Sequence, residues 1–205
     1  MQQLLALARQ YVLESRTNLM VRLVVSLLAS LSLAQSSGGP SAELADLQRD
    51  WRGQKVLLVG LAEAMPAEKF TYRPTPAQRT YGEQIMHIAV GNVANMRLLG
   101  TTRPMPFSLD RPAGAQTLEQ SLGARSKPEI IKMLSDAYDY GAAVLAEQTP
   151  DNINAIMDTK AALFWGGSTR ARVVWSLLSH AWDIYGQMVV YARLNGIVPP
   201  ASRGI

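Results

Sequence analysis

The stretch TRARVVWSLLSHAWDIYGQMVVYARLNG, residues 169–196, has no proline and keeps apolar side chains at Val174, Leu177, Leu178, Ala181, Ile184 and Met188. Steps of three and four place these on one face of a helix about as long as a small domain is wide. Gly196, followed by Pro199-Pro200, supplies the stop. Upstream, Leu44, Leu47, Trp51, Leu58, Leu61 and Met65 recur at helical steps from an N-cap at Ser41 to a break at Pro66. A second helix is expected from Tyr81 to Leu99, with Ile85, Ile88, Asn92, Met96 and Leu99 inward and Gly100 as its stop.

Ser126 and Glu129 form a Ser-x-x-Glu capping box opening a third helix, with Ile131, Leu134, Tyr138, Gly141 and Leu145 as its stripe and Pro150 as its end. Residues 101–125 hold Pro104, Pro106, Pro112, Gly114 and Gly123 and read as a long crossover with little regular structure. A second connection carries Gly166-Gly167. No run alternates β-branched residues, so the expected fold is all-α, a four-helix bundle with long crossover connections.

Composition narrows the chemistry. The 205 residues include no cysteine, which excludes disulfides, thiolate metal sites and a cysteine nucleophile. A net charge of +4 gives no nucleic-acid footprint, and no phosphate loop or nucleophile elbow is present.

Leu23 to Leu33 is apolar or small throughout, follows Arg22, and ends in Ser32-Leu33-Ala34 before a polar turn. This is the pattern of a secretory signal cleaved after Ala34, and the run is too short for a bilayer-spanning anchor. Residues 1–34 are therefore read as an extension plus signal peptide, with Met20 as the expected true start, and residues 35–205 as one exported domain. Arg9, Arg16, Arg22 and Glu14 leave with that leader, taking half of the net charge.

Only two histidines exist, His87 and His180, and both lie in expected helices beside buried stripes. Facing helices of a bundle commonly gather metal ligands, and neutral imidazole is a frequent one. An open catalytic site needs a third protein donor. At i+4 from His180 stands Ile184, which cannot coordinate; Asp183 and Glu83 are the candidate extra ligands, each also readable as a surface or capping charge. Trp51, Trp165, Trp175 and Trp182 with Tyr138, Tyr185 and Tyr191 read as core or pocket aromatics, and Gly186 as a point of close helix approach beside Gln187. Arg170 and Arg172, opening the last helix, read as solvated side chains or as partners of a carboxylate or anion.

The segment HAWDIYGQMVVYARLNGIVPPAS, residues 180–202, resembles the C-terminal signature of the DinB/YfiT superfamily, and FTYRPTPAQRTYGEQIMH, residues 70–87, resembles its second-helix entry. The resemblance spans roughly residues 41–203 and implies a four-helix bundle of the DinB-like type. It implies a divalent metal, zinc or nickel, held by one histidine of the second helix and a His-x-x-x-His pair in the last. His87 matches the first ligand, His180 the second, and Ile184 occupies the place of the third. Characterised relatives include thiol-dependent transferases and hydrolases.

Two functions compete. One is a metal-dependent hydrolase or thiol-dependent transferase using His87 and His180. The other, favoured because of Ile184, is an exported bundle with a degenerate metal site that binds a small molecule or a partner chain. A homodimer is a candidate assembly; substrate identity is not encoded in any motif.

Overall fold

The computed structural model describes residues 42–114, 117–157 and 167–203. Four long helices carry the fold: α1 (Ala42–Ala64), α2 (Tyr81–Met96), α4 (Lys127–Ala146) and α6 (Arg170–Leu194). Two short ones interrupt the connections, α3 (Leu118–Gly123) and α5 (Pro150–Ile153). The signal-peptide reading, the Ser41 cap and Trp165 lie outside the described residues.

Helices α1 and α2 each pack against both α4 and α6, so α1 and α2 occupy opposite corners of the bundle. Their directions follow from end contacts. Tyr81 at the start of α2 donates its hydroxyl to the Leu61 carbonyl near the end of α1, 2.9 Å away. The Lys127 ammonium, at the start of α4, donates to the carbonyls of Glu63 and Met65, both at 2.7 Å. A cation at the negative end of α1 is favoured by the helix dipole and also satisfies two carbonyls left over at its end. The Tyr191 hydroxyl, late in α6, donates to the carbonyl of Arg79 just before α2 at 3.1 Å. The order is up, down, down, up, and the parallel α2 and α4 explain why the chain needs a long return between them.

The apolar stripes of α1, α2 and α6 lie where their spacing puts them. Leu47, Leu58 and Leu61 are fully buried, each contributing about 1.5–3 kcal/mol relative to an exposed side chain. On α4 the reading is off by one position: Ile130 is buried and Ile131 only partly so. Ile130 is drawn inward by α2, its Cδ1 lying 3.2 Å from where a side chain on Gly82 would begin. Helix α4 also ends at Ala146, four residues short of Pro150, and Pro150 opens α5 behind a Thr149 cap. Proline suits a first helical turn as well as a stop.

A polar crossing runs through the core. Gln54, fully buried, donates to the Leu178 carbonyl of α6 at 2.9 Å and accepts from the Tyr138 hydroxyl of α4 at 2.9 Å. Trp51 donates from Nε1 to the Tyr138 carbonyl at 2.9 Å. A side chain on Gly141 would begin 2.3 Å from the Trp51 ring, so that glycine lets the indole lie on α4.

Candidate functional site

His87 stands on α2 between buried Met86 and Ile88, at the edge of the stripe, and is half-buried. His180 stands on the facing side of α6 and is more exposed. Their Nε2 atoms meet at 3.2 Å, with ring centroids 5.0 Å apart and planes inclined at 67°. The two imidazoles expected to converge from separate helices do so.

The other nitrogen of His87 faces a residue absent from the sequence reading. Nδ1 lies 3.2 Å from Oε1 of Glu119, in the first turn of α3. The crossover between 101 and 125 thus contains a helix, capped by Thr117, whose side chain accepts from the Gln120 N–H at 3.1 Å. Two glycines press α3 onto α2. A Cβ on Gly82 would stand 2.6 Å from the Gly123 carbonyl oxygen, and one on Gly123 would stand 2.8 Å from the Glu83 nitrogen. This contact brings the far end of α3, with Glu119, beside His87. The signal in the sequence was Thr117-x-x-Gln120 before Leu118 and Leu122, a capping pattern hidden among prolines and glycines.

The protons can be placed by donor and acceptor chemistry. Burial works to raise the Glu119 pKa, but its own backbone N–H, the His87 hydrogen bond and the charges of His87 and Arg79 together hold it below the ordinary carboxylate value. An ionised carboxylate only accepts, so His87 Nδ1 carries the proton and donates it. Across the Nε2–Nε2 contact one ring donates and the other accepts. His180 is held below the usual imidazole range by burial first, then by the neighbouring His87 and Arg79, with Asp183 opposing. His180 is thereby held toward its neutral form.

The separation of 3.2 Å between the Nε2 atoms also suits two imidazoles on one cation at about 2.0–2.1 Å. The remaining donors do not complete such a site. Ile184, one turn on from His180, is only 3 % exposed and offers no donor atom. Glu119 is spent on the outer nitrogen of His87, where it orients the ring. Glu83 belongs to the α2 cap: its Oε2 accepts from the Thr80 N–H at 2.7 Å, its own N–H donates to the Thr80 hydroxyl at 3.2 Å, and Arg73 lies 3.9 Å from it. Asp183 is exposed and accepts from Gln187 at 3.1 Å. Among the described residues no three His, Asp or Glu side chains are grouped to hold a metal. The donor set does not fit a three-ligand catalytic metal.

On the other side of Ile184 a second polar crossing joins α2 to α6. Gln84, 3 % exposed, donates to Gln187 Oε1 at 2.8 Å, and its own Oε1 has no partner. Gln187 thus bonds across the bundle as its position suggested. Gly186 does not serve close approach, since nothing lies within 4 Å of a side chain placed there. The aromatic residues divide: Trp51, Tyr138 and Tyr191 are core, whereas Trp175 and Trp182 are exposed. Arg172 is exposed, as a solvated side chain is, and Arg170 is partly buried. Arg170 donates to the Asn152 carbonyl at 2.8 Å and Arg172 to the Ser168 hydroxyl at 2.5 Å, tying the start of α6 to the preceding turn.

Bundle and site together define an all-α protein with an imidazole pair on facing helices, clasped from outside by a carboxylate. The profile of the DinB superfamily matches residues 51–188, and the chain belongs to that superfamily. The fold is similar to the crystal structure of a DinB-like protein from Bacillus cereus, with a TM-score of 0.56, 19 % identity, and coverage of 78 % of this chain and 95 % of that one. No curated protein matches the chain.

Proposed function

We propose that this chain is an exported member of the DinB superfamily that binds a small molecule over the His87–His180 pair and has given up the metal. The observation carrying the reading is Ile184, buried where a third donor is required, while the two imidazoles satisfy each other at 3.2 Å. The exposed His180 ring, the Arg79 charge and the Gln84–Gln187 crossing give a ligand polar groups on both sides of an apolar spot. Export rests on the apolar run before Ala34. Among the described residues, no helix is long and apolar enough to cross a membrane.

A second reading, a divalent-metal-dependent hydrolase or thiol-dependent transferase, is favoured by one observation, the Nε2 spacing. Elemental analysis of the protein purified without chelators separates the two. The binding reading expects no stoichiometric zinc or nickel in the parent chain and one equivalent after Ile184→His. Stoichiometric metal in the parent supports the enzyme reading instead. Losing one supporting partner of a ligand typically weakens metal affinity by ~10–100-fold, and losing a direct donor costs at least as much.

A further inference from the structure

Residues 101–114, between α2 and α3, have irregular backbone and reach the roughly 12–15 residues beyond which such loops usually serve a function. The run lies along α4, tied near that helix's end by an ion pair between Arg103 and Glu147. Towards the start of α4 it stands off and leaves a half-open cavity of about 430 Å³. The floor is apolar and comes from three elements: Phe107 of the loop, Leu118 and Leu122 of α3, and Met133 of α4, with Pro106 and Pro112 as walls. Proline fixes φ, so the loop side of the cavity is largely formed before anything binds.

The charged groups around the mouth already have partners. Arg125 lies 3.8 Å from Glu129, Lys132 lies 2.5 Å from Asp136, and Asp110 accepts from the Ser108 hydroxyl at 2.8 Å. Glu129 is further committed to the Ser126 backbone N–H at 3.0 Å. Four of these five charges pair with one another and Asp110 is held by a hydroxyl, so the apolar floor is the surface left for recognition. An apolar cavity of ~150 Å³ holds a benzene molecule, and pockets of ~300–1,000 Å³ are typical of small-ligand sites. Met133 adds a flexible thioether that adapts to an aromatic ring.

We propose that this cavity is a binding site for an uncharged aromatic molecule of one or two fused rings, separate from the imidazole pair. Helix α3 is the partition: Leu118 and Leu122 face the cavity, and Glu119 between them holds His87. The inference does not depend on whether His87 and His180 bind ligand or metal.

The test is a fluorescence titration of the whole chain with N-phenyl-1-naphthylamine, alongside amide NMR shifts of the unaltered protein. One saturable site is expected, with shifts clustered at Phe107, Leu118, Leu122 and Met133. Phe107→Ala should weaken binding roughly tenfold, the scale of one lost apolar anchor. Met133→Trp should abolish it by filling the space, and His180→Ala should leave it unchanged. Absence of a saturable site, shifts centred on α6, or loss of binding in His180→Ala would each overturn the proposal. The NMR map needs no variant and decides the matter even if Met133→Trp does not fold.

Discussion

The carboxylate of Glu119 keeps a proton on Nδ1 of His87 and turns the opposite nitrogen toward His180. His180 is held toward its neutral form. His180 takes up a proton less readily folded than unfolded, so between its two pKa values the unfolded chain binds more protons and stability rises with pH. That contribution is present above the ordinary imidazole pKa of about 6.5 and is lost as pH falls through it. Glu119 has its pKa depressed, so its contribution is lost at lower pH still, as acid reaches its folded-state value. Urea denaturation at pH 7 and pH 5 should show a loss of stability for the parent chain that is smaller in His180→Ala; an equal loss in both would remove His180 from the account. At this scale the two imidazoles were legible because each flanks a helical stripe. Glu119 was not, because its helix hides in a segment whose prolines and glycines read as coil.

Among the elements, the α2–α3 contact carries the most consequence per residue. Two glycines face each other across it, and a methyl group on Gly82 would meet a backbone carbonyl at 2.6 Å that no side-chain rotation can move. Gly82→Ala is expected to cost about 1–3 kcal/mol, the range for overpacking, and to lift Glu119 from His87. Denaturant unfolding reads the first effect, and a change in His87 ring shifts without a change at Trp51 reads the second. An unperturbed stability would mean that α3 is not pressed onto α2. Element boundaries were partly legible. The Ser126–Glu129 capping signal was read, but Glu83 was weighed as a ligand when its partner Thr80 makes it a cap. Pro150 was read as a stop because proline marks a first turn as readily as a last.

At the scale of the whole molecule, the periodicity of four apolar stripes was enough for an all-α bundle, since each stripe demands burial against another. The spacing also contained Gln54, three residues after Trp51 and four before Leu58, yet its polarity kept it out of the expected core. Its partners Tyr138 and Leu178 are more than eighty residues away, and no local pattern announces such a pairing. Export belongs to this scale too. Sequencing the N-terminus of protein recovered from outside the cytoplasm should find Gln35 first; intact Met1 on protein held in the cytoplasm would refute it.

The central claim, that the imidazoles satisfy each other and hold no metal, is tested most directly by a zinc titration followed by long-range nitrogen–proton NMR of both rings at pH 7. The account predicts that His87 keeps its Nδ1 proton, and that neither Nε2 resonance moves when one equivalent of zinc is added. Stoichiometric shifts of both Nε2 atoms, saturating together at that equivalent, would contradict it.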